Sequence, residues 1–163
     1  FNATLLSFLQ IGRDGSVNVS KLSARPHVTA GAGGFVDITS RARKIVFSGY
    51  FNAGAKLAIG DGKLVIEKEG KVAKLVEQVE HVSFAGKRGA RQCQDVTYVT
   101  ERCVMRLIDG VVTVTEMAPG VDLERDVLAK AAFPLAVSPD LKPMAEALFW
   151  PEKLGADFLL RSA

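Results

Sequence analysis

The chain opens on an apolar run, Ala3 to Ile11, that stops at Gly12-Arg13-Asp14-Gly15. A continuous apolar stretch bounded by a turn signal predicts a buried strand, and Val17-Asn18-Val19 predicts a short extended segment after it. A short helix is predicted over roughly 35 to 42, and Lys44 to Ser48 (KIVFS) reads as a second buried strand. Leu57 to Ile59 and Lys63 to Glu67 flank Gly60-Asp61-Gly62, the pattern of a β-hairpin with a glycine-permitted turn. Lys68-Glu69-Gly70-Lys71 predicts another tight turn, so 57 to 76 reads as a small antiparallel meander. Gln94 to Thr100 and Val104 to Ile108 are strand-like, and Asp109-Gly110 turns the chain into Val111 to Glu116. That is the clearest hairpin signal in the sequence. Met117-Ala118-Pro119-Gly120 breaks the strand, and Asp122 is placed to cap a helix over about 123 to 132. Its carboxylate can accept the free backbone N–H groups of a first turn. Ser138-Pro139 opens a last helix to about residue 149. Strands alternate with short helices, with no internal repeat and no linker. The 163 residues therefore predict one domain with a real core.

Composition narrows the function classes. Hydrophobic residues make up 48% and charged residues 24%, ordinary values for a globular protein. The net charge of +3 comes from 21 basic residues interspersed with 18 acidic ones, which gives no warrant for nucleic-acid binding, and no nucleic-acid partner is expected. The densest basic cluster, Lys87-Arg88 with Arg91, reads as a solvated loop. No apolar run approaches the roughly 20 residues that span a bilayer, so no membrane partner is expected. Cys93 and Cys103 stand ten apart with only His27 and His81 elsewhere, so no metal site is expected. They read as buried or semi-buried free thiols in a reducing, cytoplasmic setting. Asn2-Ala3-Thr4 and Asn18-Val19-Ser20 match the glycosylation sequon, but short triplets arise by chance. Because the chain begins at Phe1, inside an apolar segment and without an initiator Met, it reads as a piece of a longer protein.

Candidate chemistry centres on TAGAGGFVDIT, residues 29 to 39. Three glycines in four residues (Gly31, Gly33, Gly34) are costly, because glycine loses more backbone freedom on folding than any other residue. Either the loop needs positive φ and close packing, or a ligand must approach the backbone where a Cβ would collide. The segment is neither a dinucleotide fingerprint nor a P-loop: no third glycine follows at the right spacing, and no GK[ST] is present. It does precede a helix, so its N–H groups could converge on an anion or a developing oxyanion. The residues alone leave both readings open. No nucleophile-base-orienter constellation is visible. His27 follows Pro26 just before the loop, within reach of a site, and His81 alternates like an exposed strand or helix residue, with a structural role the default for both. Glu77 and Glu80 read as neighbours on a solvated helix face, and Glu101 and Glu116 as carboxylates at strand ends.

Taken together, LLSFLQIGRDGSVNVSK, AGAGGFVDIT, KIVFSGYF, VTYVTERCVMRL and EMAPGVDLERDVL resemble the C-terminal part of the β-domain of family I coenzyme A transferases. The resemblance is strongest to the single-chain enzymes that transfer CoA from a short-chain acyl-CoA to acetate or acetoacetate. It covers about residues 3 to 149, and it implies a division into 1–149, the C-terminal portion of that β-domain, and a tail, 150–163. The fold it implies is α/β: an open mixed sheet with short helices and an antiparallel hairpin region, as in NagB, RpiA and the CoA-transferases. The reaction it implies is ping-pong transfer through an acyl-glutamyl anhydride and a glutamyl-CoA thioester, with coenzyme A as substrate and no permanent cofactor. The implied partners are acyl-CoA, a short-chain carboxylic acid, the remaining N-terminal part of the enzyme and further copies in a homo-oligomer. In that family a Gly-rich segment lends backbone N–H groups to the oxyanion, which carries over to Gly31, Gly33 and Gly34, with Ala32 at the variable position. Gly31 is the expected donor. The family's nucleophilic glutamate belongs upstream of Phe1, so no catalytic nucleophile is expected within the chain, and alone it should be inactive.

Overall fold

The computed structural model of the protein describes residues 2–27, 29–30 and 32–155. Strands β1 (Ala3–Ser7), β2 (Gln10–Gly12) and β3 (Val17–Asn18) precede helix α1 (Phe35–Arg41). Strands β4 (Lys44–Ser48), β5 (Asn52–Ala53), β6 (Lys56–Gly60), β7 (Lys63–Lys68), β8 (Val72–Ala73) and β9 (Leu75–Val76) lead to a short helix, α2 (Gly86–Arg91). Strands β10 (Asp95–Val99), β11 (Cys103–Ile108), β12 (Val111–Met117) and β13 (Ala136–Pro143) follow.

Six strands form one mixed sheet in the order β1-β4-β10-β11-β12-β13. β1, β4 and β10 run parallel, β10 to β12 antiparallel, and β13 parallel to β12. Period-2 alternation explains which side is covered. Ile45 and Phe47, Val96 and Tyr98, Cys103 and Met105, and Val112 and Val114 are buried in the core. The intervening Val46, Ser48, Thr97 and Val99 are only half-buried. Phe47 is the centre of the packed face, with the rings of Phe35, Phe84 and Tyr98 at 5.9, 5.3 and 5.8 Å. The contact with Phe35 places the N-terminal end of α1 beside the carboxyl end of β4.

Several elements differ from the expectations, each for a tertiary reason. The first apolar run is not one buried strand. β1 is an alternating, largely exposed strand at the end of the large sheet, and β2 turns away to pair with β3 and β9. The hairpin of β6 and β7 forms with Asp61 and Gly62 both at positive φ, but no meander extends to 76. β8 pairs instead with β5, and β9 with β2, because Leu75 is wholly buried in the main core. Lys87-Arg88-Arg91 sits on α2 rather than a loop. A Cβ on Gly86 would lie 2.1 Å from the Asp14 carbonyl oxygen, so only glycine lets this helix start against the Asp14-Gly15 turn. Residues 123 to 130 form a π turn followed by a 3-10 turn. The cap holds as expected, since Asp122 Oδ1 accepts from Arg125 N–H at 2.7 Å. Ser138-Pro139 opens no helix. It lies in β13, where the pairing with β12 shifts register between Val114 and Glu116. Proline lacks a ladder N–H, and an end strand with an irregular pairing tolerates it. A short 3-10 turn, Glu146–Phe149, follows. Of the predicted tail, Trp150 and Leu154 are exposed. Residues 156–163 lie outside the described residues.

Candidate functional site

In open α/β sheets, ligands bind beyond the carboxyl ends of parallel strands. Here those ends are Ser7, Ser48 and Val99, and the glycine loop leads into α1 at the same end. Of the four loop residues predicted to serve the site, Gly31 lies outside the described residues, while Ala32, Gly33 and Gly34 are placed. Phe35 N–H donates to the Ala32 carbonyl at 2.7 Å, closing the turn. Gly33 has φ +34, which favours glycine, and a Cβ there would meet nothing within 4 Å. Gly34 has φ −71 and ψ −6, an ordinary helical conformation, and the nearest atom to an added Cβ is Ile38 Cδ1 at 3.6 Å. Neither glycine is required by packing against the described residues, and at Gly34 the backbone angle requires none either.

The root of this loop rests on a polar cluster that was not singled out from the sequence. Asn18, fully buried, donates through Nδ2 to Gln10 Oε1 at 2.9 Å and to the Lys21 carbonyl at 2.7 Å. Its Oδ1 accepts the Ser20 and Lys21 N–H groups at 3.0 and 3.3 Å. Gln10 exchanges two hydrogen bonds with Glu80, both 3.0 Å, and the second Glu80 oxygen accepts Ser23 N–H. His81, exposed as expected, meets Ser20 Oγ through Nδ1 at 2.9 Å. The one available signal was Asn18 alternating with Val17 and Val19, an amide in a strand whose neighbours are apolar. Glu77 and Glu80 share no helix face: Glu77 pairs with Arg13 at the surface at 2.9 Å. His27 is exposed.

A second polar cluster lies beyond the ends of β4 and β10. Arg102 is wholly buried, and its guanidinium binds the Glu69 carboxylate by two hydrogen bonds of 2.6 and 2.9 Å. It also donates to the Asp126 carbonyl at 2.9 Å and stands 5.0 Å from the Phe51 ring centre. The hydrogen bonds from Arg102 hold the Glu69 carboxyl down at about 2 against the opposing effect of burial. Glu101, expected as a strand-end carboxylate, accepts Phe51 N–H at 2.8 Å and approaches Arg102 Nε at 3.3 Å. Beside it Lys74 lies over the Phe8 ring at 4.2 Å, its pKa lowered by burial with Glu101 acting the other way. Glu116, the other strand-end carboxylate, sits in the ladder opposite Val104. The two thiols differ, contrary to the expectation of two covered ones. Cys103 is buried, which raises its pKa to about 12, whereas Cys93 is exposed at φ +53. Among the described residues no three His, Cys, Asp or Glu side chains gather as a metal site, and no helix is long and apolar enough to cross a membrane.

No family model matches the chain. The chain is 44% identical over 162 residues to a caffeate CoA-transferase of Acetobacterium woodii, covering 98% of this chain and 31% of that protein. It is 40% identical over 151 residues to the acetate CoA-transferase YdiF of Escherichia coli O157:H7, covering 92% of this chain and 28% of that one. The crystal structure of YdiF as a thioester complex with CoA superposes with a TM-score of 0.86 at 39% identity, over 92% of this chain and 29% of YdiF. The chain thus spans about 30% of the length of these relatives. A decarboxylase, AibA/AibB, shares the fold at a TM-score of 0.62 and 14% identity, over 88% of this chain and 51% of its own. The α/β mixed-sheet fold by itself therefore does not select a reaction. Identity of about 40% along nearly the whole chain, together with the matching fold, is more specific: the chain belongs to the coenzyme A transferase family.

Proposed function

We propose that this chain is one part of an enzyme that moves CoA between a short-chain acyl-CoA and a free carboxylate such as acetate. The observation that carries this reading is the placement of Gly33 and Gly34. They lie unpacked at the carboxyl ends of the parallel strands of the mixed sheet, in a chain 44% identical to a CoA-transferase. In this reading the glycine loop, Gly31 to Gly34, faces the thioester, and its small residues let the reacting carbonyl approach the backbone. A glutamate carboxylate from the rest of the enzyme attacks that carbonyl, and CoA leaves as the thiolate, giving an acyl-glutamyl anhydride. The thiolate then attacks the glutamyl carbonyl of the anhydride, releasing the acyl group as its carboxylate and leaving glutamyl-CoA. The second carboxylate runs the same steps in reverse. A carboxylate is a weak nucleophile, so the rate depends on the oxyanion being met by preplaced N–H donors. The loop supplies such donors without a charged side chain. The enzyme is read as cytoplasmic and homo-oligomeric, with CoA as substrate rather than a resident cofactor.

The test is exchange of labelled acetate into the CoA pool by the full-length protein supplied with acyl-CoA. Label entering acetyl-CoA supports the proposal. Free CoA accumulating without label identifies a hydrolase instead, and absence of both, with no CoA binding by calorimetry, leaves a non-catalytic domain.

A further inference from the structure

We infer that Asn18 is a positioning residue for the glycine loop, the buried peg from which the loop's near end is hung; this rests on the CoA-transfer reading above. A buried amide is destabilising unless its polar atoms are satisfied. Asn18, fully buried, makes four hydrogen bonds, and three of them go to the backbone of residues 20 and 21. The fourth goes to Gln10, whose side chain is itself held at both ends by Glu80. The amide thus fixes the backbone at Ser20 and Lys21 relative to β2, which is itself hydrogen-bonded to β9.

From that point the constraint passes along the chain to the loop. Lys21 bridges Thr29, and the Ser20 carbonyl accepts Ala30 N–H at 3.0 Å, so both ends of the 20–30 excursion are tied together. Ser20 Oγ on His81 and the Val19 N–H on Ser83 Oγ brace the same root from the neighbouring segment. On the far side the loop is anchored by α1, through Phe35 stacked on Phe47. Ala30 and Phe35, on either side of the loop, are therefore two fixed points, one held by a hydrogen-bonded amide and the other by a packed ring. A loop that presents backbone donors to a developing charge must hold them to within a fraction of an ångström, and a 1 Å misplacement can lower a rate by about 10²-fold. Asn18 touches no reacting atom in this scheme. It acts only by setting where the chain leaves the Lys21–Thr29 bridge at Ala30.

The test uses the full-length enzyme and two variants. Asn18→Ala removes all four hydrogen bonds; Ser20→Ala removes only the contact with His81. Steady-state kinetics is combined with amide hydrogen exchange followed by mass spectrometry. The expected result for Asn18→Ala is a kcat about 10-fold or more below wild type, with KM for acyl-CoA within about twofold. Amides of residues 29–34 should exchange faster while those of β4 and β10 keep their protection. Ser20→Ala should show the same pattern at smaller amplitude, which keeps the test open if Asn18→Ala does not fold. Unchanged kcat and unchanged exchange in the loop would overturn the inference, as would faster exchange spread evenly over the whole protein, the sign of a merely structural role. If wild type transfers no CoA at all, the functional reading fails on that measurement, and the exchange pattern still decides whether Asn18 holds the loop.

Discussion

Single residues separate what folding needs from what the site needs. Gly86 and Gly34 make the contrast. A Cβ at Gly86 would sit 2.1 Å from one backbone atom and 2.6 Å from another, with no flexible side chain to yield. Gly86→Ala should therefore destabilise the protein by about 3 kcal/mol, a severe overpacking penalty, measurable as a lowered midpoint in urea. At Gly34 an added methyl meets only Ile38 at 3.6 Å, and the φ is one any residue adopts. Gly34→Ala should leave stability within about 0.5 kcal/mol of wild type, as surface changes away from special features usually do. In the full-length enzyme it should nonetheless lower kcat if the loop faces the thioester. Equal turnover would return the loop to a merely architectural role. For Gly31, the expected oxyanion donor, Gly31→Ala should lower kcat by about 10²-fold or more without unfolding the protein, as loss of one such donor does. Both tests follow from a segment, TAGAGGFVDIT, whose cost in backbone freedom was plain in the sequence but whose surroundings were not.

Among the elements, turns written in local chemistry were legible and pairings between distant segments were not. Asp61-Gly62 and Asp109-Gly110 both take positive φ at two successive positions, the geometry that joins two strands without splaying them. The cap at Asp122 was equally local, and Asp122→Ala should cost about 1 kcal/mol by thermal or chemical unfolding, since one orphan N–H loses its acceptor. The same window did not reveal that its turn would wind as a π turn, because Asp126 also reaches back to Asp122 N–H at 2.9 Å and onto Arg125. The stretch from Ala136 to Pro143 misled for a related reason. Ser-Pro is a helix-opening signal in isolation, yet β12 offers a partner edge, and ladder hydrogen bonds there outweigh the local preference. The second half of the expected meander failed likewise, its residues drawn apart to β5 and β2 by the burial of Leu75.

At the scale of the molecule, Arg102, beside Glu101 in the β10–β11 connection, joins that connection to two distant parts of the chain: Glu69 just after β7 and the Asp126 carbonyl in the π turn. Glu69→Gln leaves Arg102 only Glu101 as a carboxylate partner and removes its bidentate one, so it should destabilise the protein by about 2 kcal/mol. The pairing also sets an acid dependence. Glu69 has its folded-state pKa lowered from 4.5 to about 2, so its contribution is present above 4.5 and is lost as pH falls towards 2. Stability of the wild type measured by urea unfolding should fall across that window, and Glu69→Gln should flatten the fall; an equally steep loss in the variant would remove Glu69 from the account. Neither Glu69 nor the Asp126 carbonyl was legible as a partner in the sequence, since contacts between residues 33 and 24 apart carry no local pattern. By itself the sequence determined the alternation that makes the sheet, the hairpin turns, the short helix after the glycines and, through its motifs, the resemblance to CoA-transferases. Those features depend on neighbours within a few residues, or on strings long enough to be specific. Only the tertiary structure decided that β1 stands at the sheet's end, that β9 pairs with β2, that Gly33 and Gly34 are unpacked, and that Asn18 and Arg102 are wholly buried. Each of these depends on which distant segment comes to lie alongside, and that is fixed by the packing of one shared core.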